Sequence, residues 1–392
     1  MTADYCIIGG GIAGTTAAET IRARDPKGSI VLVEREPHRL YSRIVLSKEN
    51  FFSPHGELPS PWLRSEEWYK RSNIIFRPGH TVSVIDSHDR TITLDDGTSI
   101  AYKKLLLALG TEAAKPSVPG VEKGSVYTLR TLDDAYAIRA ALPKVARVAV
   151  VGSGFIGFEM ASIARSIGCT VTLIMRNGQL WNNILHPEGS RILESAMEQR
   201  NIRIVKNSRV VEIIGTDSVR ALMLDDGTSI PCELALFGIG VSYPTDPFRK
   251  AGIATRNGIM VNEFLETNIP GIWAAGDIAD IENDSVNHQR GNWSGAQTQG
   301  SIAGKNMTGE RTKFSMVSAY TTAGAGMTLA FIGNTEHNHT EIRTSAKGSQ
   351  PSFRQFFIQN GVVVGAILIN ALPDLGPVTR AIARNTPYTE LA

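Results

Sequence analysis

The residues in this chain whose types and spacing point most directly to chemistry lie in two glycine-rich hexapeptides. Gly9-Gly10-Gly11-Ile12-Ala13-Gly14 and Gly152-Ser153-Gly154-Phe155-Ile156-Gly157 both spell GxGxxG. Glycines at those places leave a turn bare of side chains, so a phosphate can approach backbone N–H groups at the positive end of a helix. The chemistry is recognition of a dinucleotide, by Gly9, Gly11, Ala13 and Gly14 in the first copy and by Gly152, Gly154, Ile156 and Gly157 in the second. Glu34 lies 20 residues after Gly14, the spacing expected of an acid that accepts a hydrogen bond from a ribose hydroxyl. A βα turn without a ligand can carry the same letters, so the flanking elements decide.

Those elements agree in both copies. Tyr5 to Ile8 is a short apolar run suited to a buried parallel strand, a helical pattern continues to Arg24, Gly28-Ser29 interrupts it, and Ile30 to Glu34 is the next strand. In the second copy Val148 to Val151 predicts a strand, residues 158 to about 167 a helix, and Thr170 to Met175 a strand. A further repeat joins the two. Leu94-Asp95-Asp96-Gly97-Thr98-Ser99-Ile100 recurs letter for letter as Leu224 to Ile230, and Asp-Gly between apolar alternations is a hairpin signal. Each copy leads into an apolar strand ending in glycine, Leu105 to Gly110 and Leu234 to Gly238, which returns toward the cofactor. Two equivalent modules in tandem follow. They differ at one point: Met175 stands where Glu34 stands, and Arg176 comes next. An acid there favours NAD, whereas a nearby arginine accommodates a 2′-phosphate. The reading leans to NADPH over NADH; a solvated arginine at a strand end has the same spelling.

Composition sets outer bounds. The 392 residues suffice for two or three domains, with 42% hydrophobic and 20% charged residues. Forty basic residues against 38 acidic give a net charge of +2, which gives no support to nucleic-acid binding. The longest apolar stretch, Val362 to Leu372, is too short and interrupted to span a bilayer, and no basic region precedes the apolar run at Tyr5, so neither a membrane segment nor a signal peptide is expected. Cys6, Cys169 and Cys232 form no CxxC or CxxxxC pair. Neither a disulfide framework nor a cysteine-ligated metal is expected, and the compartment expected is the reducing cytoplasm. His337 and His339 form an HxH in polar surroundings, which alone does not mark a metal site, and no HExxH or P-loop occurs.

At this point the chain resembles the FAD-dependent NAD(P)H reductases of ferredoxin, rubredoxin and related carriers, within the glutathione-reductase structural class, over nearly its whole length. Gly271 to Asp277 resembles the family's second FAD motif, which implies that Gly276 and Asp277 meet the ribityl chain. Tyr41-Ser42-Arg43-Ile44-Val45-Leu46-Ser47-Lys48 resembles its segment beside the flavin, with Ile44 and Val45 where the family usually has proline. The resemblance implies that Arg43 and Lys48 lie near FAD and that Lys48 pairs with Glu159 by the flavin's reactive edge, both as catalytic residues. It also implies that Arg130 meets FAD, that the Val82 backbone meets adenine, and that Trp293 covers the flavin's far face. Residues from Tyr320 onward, with strands at Phe353 to Ile358 and Val362 to Ile369 and a helix at Pro377 to Arg384, are similar to the family's C-terminal interface domain.

The implied fold is α/β, with two nested Rossmann-like dinucleotide-binding domains plus a small α+β C-terminal domain. Residues 1–111 and 241–315 would form a discontinuous FAD-binding domain, 112–240 the NAD(P)H-binding domain and 316–392 the C-terminal domain. The implied activity is hydride transfer from the nicotinamide to FAD and delivery of electrons to a small ferredoxin- or rubredoxin-like carrier protein, by a monomer or homodimer. Disulfide reductases of this class need a CxxxxC pair, and related oxidases a cysteine within 43–48; both are missing, and the three cysteines read as small buried hydrophobes. The alternatives are an NAD(P)H oxidase or quinone reductase, and a nicotinamide-responsive flavoprotein with a binding or signalling role.

Overall fold

A computed structural model of the chain describes residues 1–53, 58–182, 184–282, 291–335, 341–345 and 351–390. The chain forms two compact units, one made of Met1–Ser42, Pro61–Glu112 and Tyr243–Ser318, the other of Arg43–Ser60, Ala113–Ser242 and Ala319–Ala392.

The first unit is built on a sheet whose strands run in the order Ile74–Pro78, Ile30–Glu34, Thr2–Ile8, Ser99–Leu107, Thr91–Leu94 and Val82–Asp86. Ile272–Ala274 adds to the free side of Ser99–Leu107 in parallel. The central strands are continuous β-branched and leucine-rich runs because both of their faces are covered. The helix Ile12–Arg24 packs against the helix Trp293–Met307 through small residues. A Cβ at Gly300 would run into the Ala13 carbonyl, and one at Gly304 would lie 2.8 Å from Thr20 Cβ, so the helices approach more closely than larger side chains allow.

The second unit repeats that plan. Ile202–Val205, Thr170–Ile174, Arg147–Val151, Leu234–Phe237 and Val126–Thr128 form a parallel sheet in that order. Beside it lies the antiparallel group Val210–Gly215, Val219–Leu224 and Ser229–Pro231. A second sheet in the unit is antiparallel, in the order Ala319–Gly324, Met327–Gly333, Val362–Ile369, Phe353–Gln359 and Glu341–Ser345, and the helix Leu375–Ala383 covers it. Its first hairpin turns at Ala325-Gly326, both with positive φ, the conformation that matches the twist of paired strands.

The seven-residue repeat has a physical basis. Asp96 Oδ1 accepts from Thr98 N at 2.8 Å, and Asp226 Oδ1 from Thr228 N at 2.8 Å. Asp95 N donates to the Thr81 carbonyl and Asp225 N to the Arg209 carbonyl, each at 2.9 Å. Hydrogen bonds from Thr98 and Thr228 hold the carboxyls of Asp96 and Asp226 below their usual range. The two hairpins are therefore the same local solution, placed at the same point in each module.

The segment Arg43–Ser60 belongs to the second unit for identifiable reasons. Arg43 Nη1 donates to the Arg130 carbonyl at 3.0 Å, Phe51 packs on Tyr136 with ring centroids 5.8 Å apart, and Lys48 pairs with Glu159.

Gly300→Ala tests the helix contact in the first unit. Alanine gains up to about 1 kcal/mol over glycine in a helix interior, whereas overpacking a core costs about 1–3 kcal/mol. We expect a lower denaturation midpoint with an unchanged denaturant slope; a higher midpoint would show that the helices are not packed at Ala13.

Candidate functional site

The first GxGxxG turn is shaped by backbone meeting backbone. Gly9 has φ +108°, and a Cβ there would run into the Ala108 carbonyl. A Cβ on Gly14 would run into the Gly9 carbonyl, while one on Gly11 would meet nothing within 4 Å. The outer glycines are required by packing, and the middle one leaves open space above the N-terminus of Ile12–Arg24. That helix has no side-chain cap at Gly11, so its first N–H groups are available to an anion. Glu34 closes the turn from the neighbouring strand: its Oε2 accepts from Gly10 N at 2.5 Å and its Oε1 from Glu36 N at 2.9 Å. Ala13 is buried beneath the turn, with Gly276 against it. Asp277 follows half-buried at the end of the Ile272–Ala274 strand. Val82 opens its strand opposite Leu94, two residues after His80, whose N–H donates to the Glu34 carbonyl at 3.0 Å. Trp293 is the first residue of a helix capped by Asn292 Oδ1, which accepts from Gly295 N at 2.7 Å. The structure thus groups Gly9, Gly11, Ala13, Gly14, Glu34 and Gly276 around one turn. Arg43 and Arg130 meet one another in the other unit.

The second turn reproduces the first. Gly152 has φ +131°; a Cβ there would run into the Gly238 carbonyl, one on Gly157 into the Gly152 carbonyl, and Gly154 again faces open space at an uncapped helix start. Gly238 is held with its Cβ position 3.0 Å from Gly157 N and 3.1 Å from Ile156 Cβ. A cavity of about 550 Å³ opens over this turn, lined among others by Gly152, Gly154, Arg176, Ser208, Arg209 and Gly238. Met175, at the position of Glu34, is fully buried and turned away from that role. Among the described residues, the guanidinium groups of Arg176 and Arg209, both exposed, line the cavity and no carboxylate does. Arg209 and Ser208 were not evident in the sequence. A signal did exist: Val82 pairs with Leu94 and Val210 with Leu224 at the head of equivalent hairpins, so Arg209 immediately precedes the counterpart of Val82.

Both turns fit a dinucleotide. Each has a bare middle glycine, an uncapped helix start and a return strand too close for any side chain. FAD would be held by the first turn and a nicotinamide nucleotide by the second.

Lys48 and Glu159 are brought together. Lys48 begins the short helix Glu49–Phe52, and its ammonium donates to Glu159 Oε1. Glu159 lies on the helix Phe155–Ser166 with its side chain 4% exposed, against 30% for Lys48. A carboxylate so far from water costs several kcal/mol unless paired and hydrogen-bonded. The same Oε1 also accepts from the hydroxyl of buried Thr322, a partner 163 positions away that no sequence pattern announced. Beside it Phe155, Trp181, Tyr320 and Phe331 pack ring on ring, with Tyr320 and Phe331 stacked at 5.3 Å.

All three cysteines are buried and free. Burial pushes the Cys6 and Cys232 thiols up to about 12 and raises that of Cys169, so all three are protonated and unreactive near neutrality. Among the described residues, His80, Asp95 and Asp96 bring ligand-type atoms within 4.8 Å of one another, but Asp95 and Asp96 are exposed and serve the hairpin turn. His337 and His339 lie outside the described residues. No described helix is long and apolar enough to cross a membrane.

The chain is similar to known proteins in sequence and in fold. The profile of the pyridine nucleotide-disulphide oxidoreductase family matches residues 3–300. The ferredoxin–NAD(+) reductase component of the biphenyl dioxygenase system of Paraburkholderia xenovorans is 30% identical over 384 residues, covering 97% of this chain and 93% of the relative. That of the p-cumate 2,3-dioxygenase system of Pseudomonas putida is 30% identical over 381 residues, covering 97% and 93%. A crystal structure of a ferredoxin reductase from Rhodopseudomonas palustris superposes with a TM-score of 0.87 at 28% identity, covering 95% of this chain and 92% of that one. The reductase in a covalent putidaredoxin reductase–putidaredoxin complex superposes with a TM-score of 0.90 at 25% identity, covering 98% and 94%.

The ion pair makes its own prediction. Lys48→Met leaves the Glu159 carboxylate buried without a cation, and we expect a loss of about 1–3 kcal/mol in chemical denaturation. Adding Glu159→Gln should recover part of that loss. A double variant as unstable as the sum of the singles would show that the two side chains do not interact.

Proposed function

The chain belongs to the pyridine nucleotide-disulphide oxidoreductase family, and we propose that within it the protein carries electrons from a nicotinamide nucleotide through FAD to a small redox carrier protein of ferredoxin or rubredoxin type. The observation that carries this reading is the pair of complete dinucleotide turns in a chain whose three thiols are all buried and protonated. Members of the class that reduce disulfides need a thiolate at work; here the buried thiols offer no sulfur relay, and electrons would leave a bound flavin directly. The relatives named as ferredoxin reductases support the carrier as acceptor.

FAD, when bound, accepts a hydride and releases electrons singly or in pairs. The chain's own part is to bind and orient. Gly9, Gly11, Ala13 and Gly14 would present the helix N-terminus to the FAD pyrophosphate, Glu34 would receive a ribose hydroxyl, and Gly276 and Asp277 would hold the ribityl chain. Val82, Trp293, Arg43 and Arg130 would make further FAD contacts, as the resemblance implies. Gly152, Gly154, Ile156, Gly157 and Gly238 would shape the nicotinamide nucleotide site. Lys48 and Glu159 would place a pair of opposite charges at the site of hydride transfer. The functional partition follows the two turns: residues 1–111 and 241–315 for FAD, 112–240 for the nicotinamide nucleotide, and 316–392 as a C-terminal domain. The compartment is proposed to be the cytoplasm.

For the donor we propose NADPH. The relatives are named for NAD(+), but the cavity here carries Arg176 and Arg209 beside Ser208, and among the described residues no carboxylate lines it to repel a 2′-phosphate.

Anaerobic mixing of the flavin-loaded protein with NADPH or NADH tests the core of this reading. We expect rapid flavin bleaching, followed by reduction of an added ferredoxin or rubredoxin. A flavin bleached by neither nucleotide would overturn it in favour of a binding role, and reoxidation by oxygen or quinone alone would point to the oxidase-type alternative. Arg176→Glu should weaken NADPH by about 10–100-fold, the scale of a hydrogen bond between charged groups, and improve NADH. An unchanged preference would remove Arg176 from the donor site.

A further inference from the structure

We propose that Thr322 is a positioning residue for Glu159, and that the C-terminal sheet reaches the hydride-transfer site through it. This rests on the reading of Lys48 and Glu159 as part of that site.

The argument begins with two periodicities that match. Ala319–Gly324 is an edge strand of the antiparallel sheet, and its exposure alternates: Thr321 and Ala323 face solvent while Thr322 between them is buried. Tyr320, Thr322 and Gly324 therefore share one face. Along the helix Phe155–Ser166, residues three, four and seven positions after Phe155 lie on one stripe. The two rows interlock. The ring of Tyr320 meets that of Phe155 with centroids 5.1 Å apart. The Thr322 hydroxyl donates to Glu159 Oε1. A Cβ at Gly324 would lie 2.7 Å from both Phe158 Cε1 and Ser162 Oγ, so the strand lies directly on the helix. The strand is held in this register by its partner, with Tyr320 opposite Phe331 and Thr322 opposite Leu329.

Thr322 is polar where packing alone calls for valine. Valine has nearly the same shape and suits a strand as well, and a buried hydroxyl is unfavourable unless it finds a partner. Its partner is the carboxylate oxygen that also receives the Lys48 ammonium. The torsion that turns a glutamate carboxylate is soft and roughly two-fold. A long, partly exposed lysine follows the carboxylate as it turns and does not hold it. A hydroxyl on a β-branched side chain, fixed in a paired strand, holds it. The Thr322 hydroxyl thus sets the direction of Oε1, and the Lys48 ammonium follows it.

The test compares Thr322→Val, Thr322→Ser, Glu159→Gln and the Thr322→Val/Glu159→Gln double variant, each loaded with FAD. The rate of flavin bleaching is measured at saturating and limiting nicotinamide nucleotide. Titration with the oxidised nucleotide, followed by flavin absorbance, gives a readout independent of turnover. We expect Thr322→Val to slow the saturated rate by about tenfold, the scale of one hydrogen bond to a charged group, and to change the shape of the titration difference spectrum. Thr322→Ser should restore both, and the double variant should be no slower than Glu159→Gln alone, as coupled residues require. Thr322→Ala serves in place of Thr322→Val if the latter fails to fold. Wild-type rate and spectrum in Thr322→Val, with Glu159→Gln impaired, would overturn the role of Thr322. A Glu159→Gln variant that bleaches at the wild-type rate would instead overturn the reading of Lys48 and Glu159, and the proposal with it.

Discussion

The structure depends most on a contact made twice between backbone and backbone. At Gly9 and Gly14, and again at Gly152 and Gly157, the chain turns from strand to helix so tightly that the first glycine's carbonyl lies where a Cβ of the last would be. The return strand presses on the turn from the other side, through Ala108 in one module and the Gly238 carbonyl in the other. Any side chain at these four positions forces the helix away from the sheet. With none, the helix N-terminus is held beside the carboxyl ends of the strands, where its unpaired N–H groups and dipole face the same open space. Glu34, the cavity arginines and the helix that carries Glu159 all take their places from that geometry.

The two modules share a frame and differ in what they ask of a ligand. In the first, the Glu34 carboxylate is bonded to the turn itself through Gly10 N, which fixes an acceptor next to the glycine loop. In the second, the corresponding Met175 is buried in the core, and polar character passes to Arg176 and, from the adjacent hairpin, Ser208 and Arg209. The scaffold stays constant while the sign of the charge at the strand end is reversed.

Glu159 shows how an expensive group is kept. Its helix is apolar on nearly every side because it lies between the parallel sheet and the strand Ala319–Gly324. A carboxylate in that setting is tolerated because it meets an ammonium and a hydroxyl at once. The buried thiols stand at the opposite extreme: burial raises all three and outweighs the pull of Arg165 on Cys169 and of Arg147 on Cys232, which leaves them neutral. Glu159 is thus buried charged with two partners, whereas the three buried thiols stay neutral.

What the sequence determined by itself was local. The glycine turns, the strands around them and the Asp-Asp-Gly-Thr hairpins follow from conformational demands within a few residues, and Val362–Ile369 occupies the span its apolar run predicts. The pairing of Lys48 with Glu159 was legible only through family resemblance, since nothing in either residue's neighbourhood specifies the other. Tertiary structure alone decided the rest. It placed Arg209 beside Arg176 by bringing a hairpin alongside a strand end, it set Thr322 against Glu159 by laying a distant edge strand on the helix, and it drew Arg43–Ser60 into the second unit. The physical reason is that backbone conformation is governed by near neighbours, whereas a buried charge and a binding cavity are completed by whichever side chains the packing of distant elements delivers.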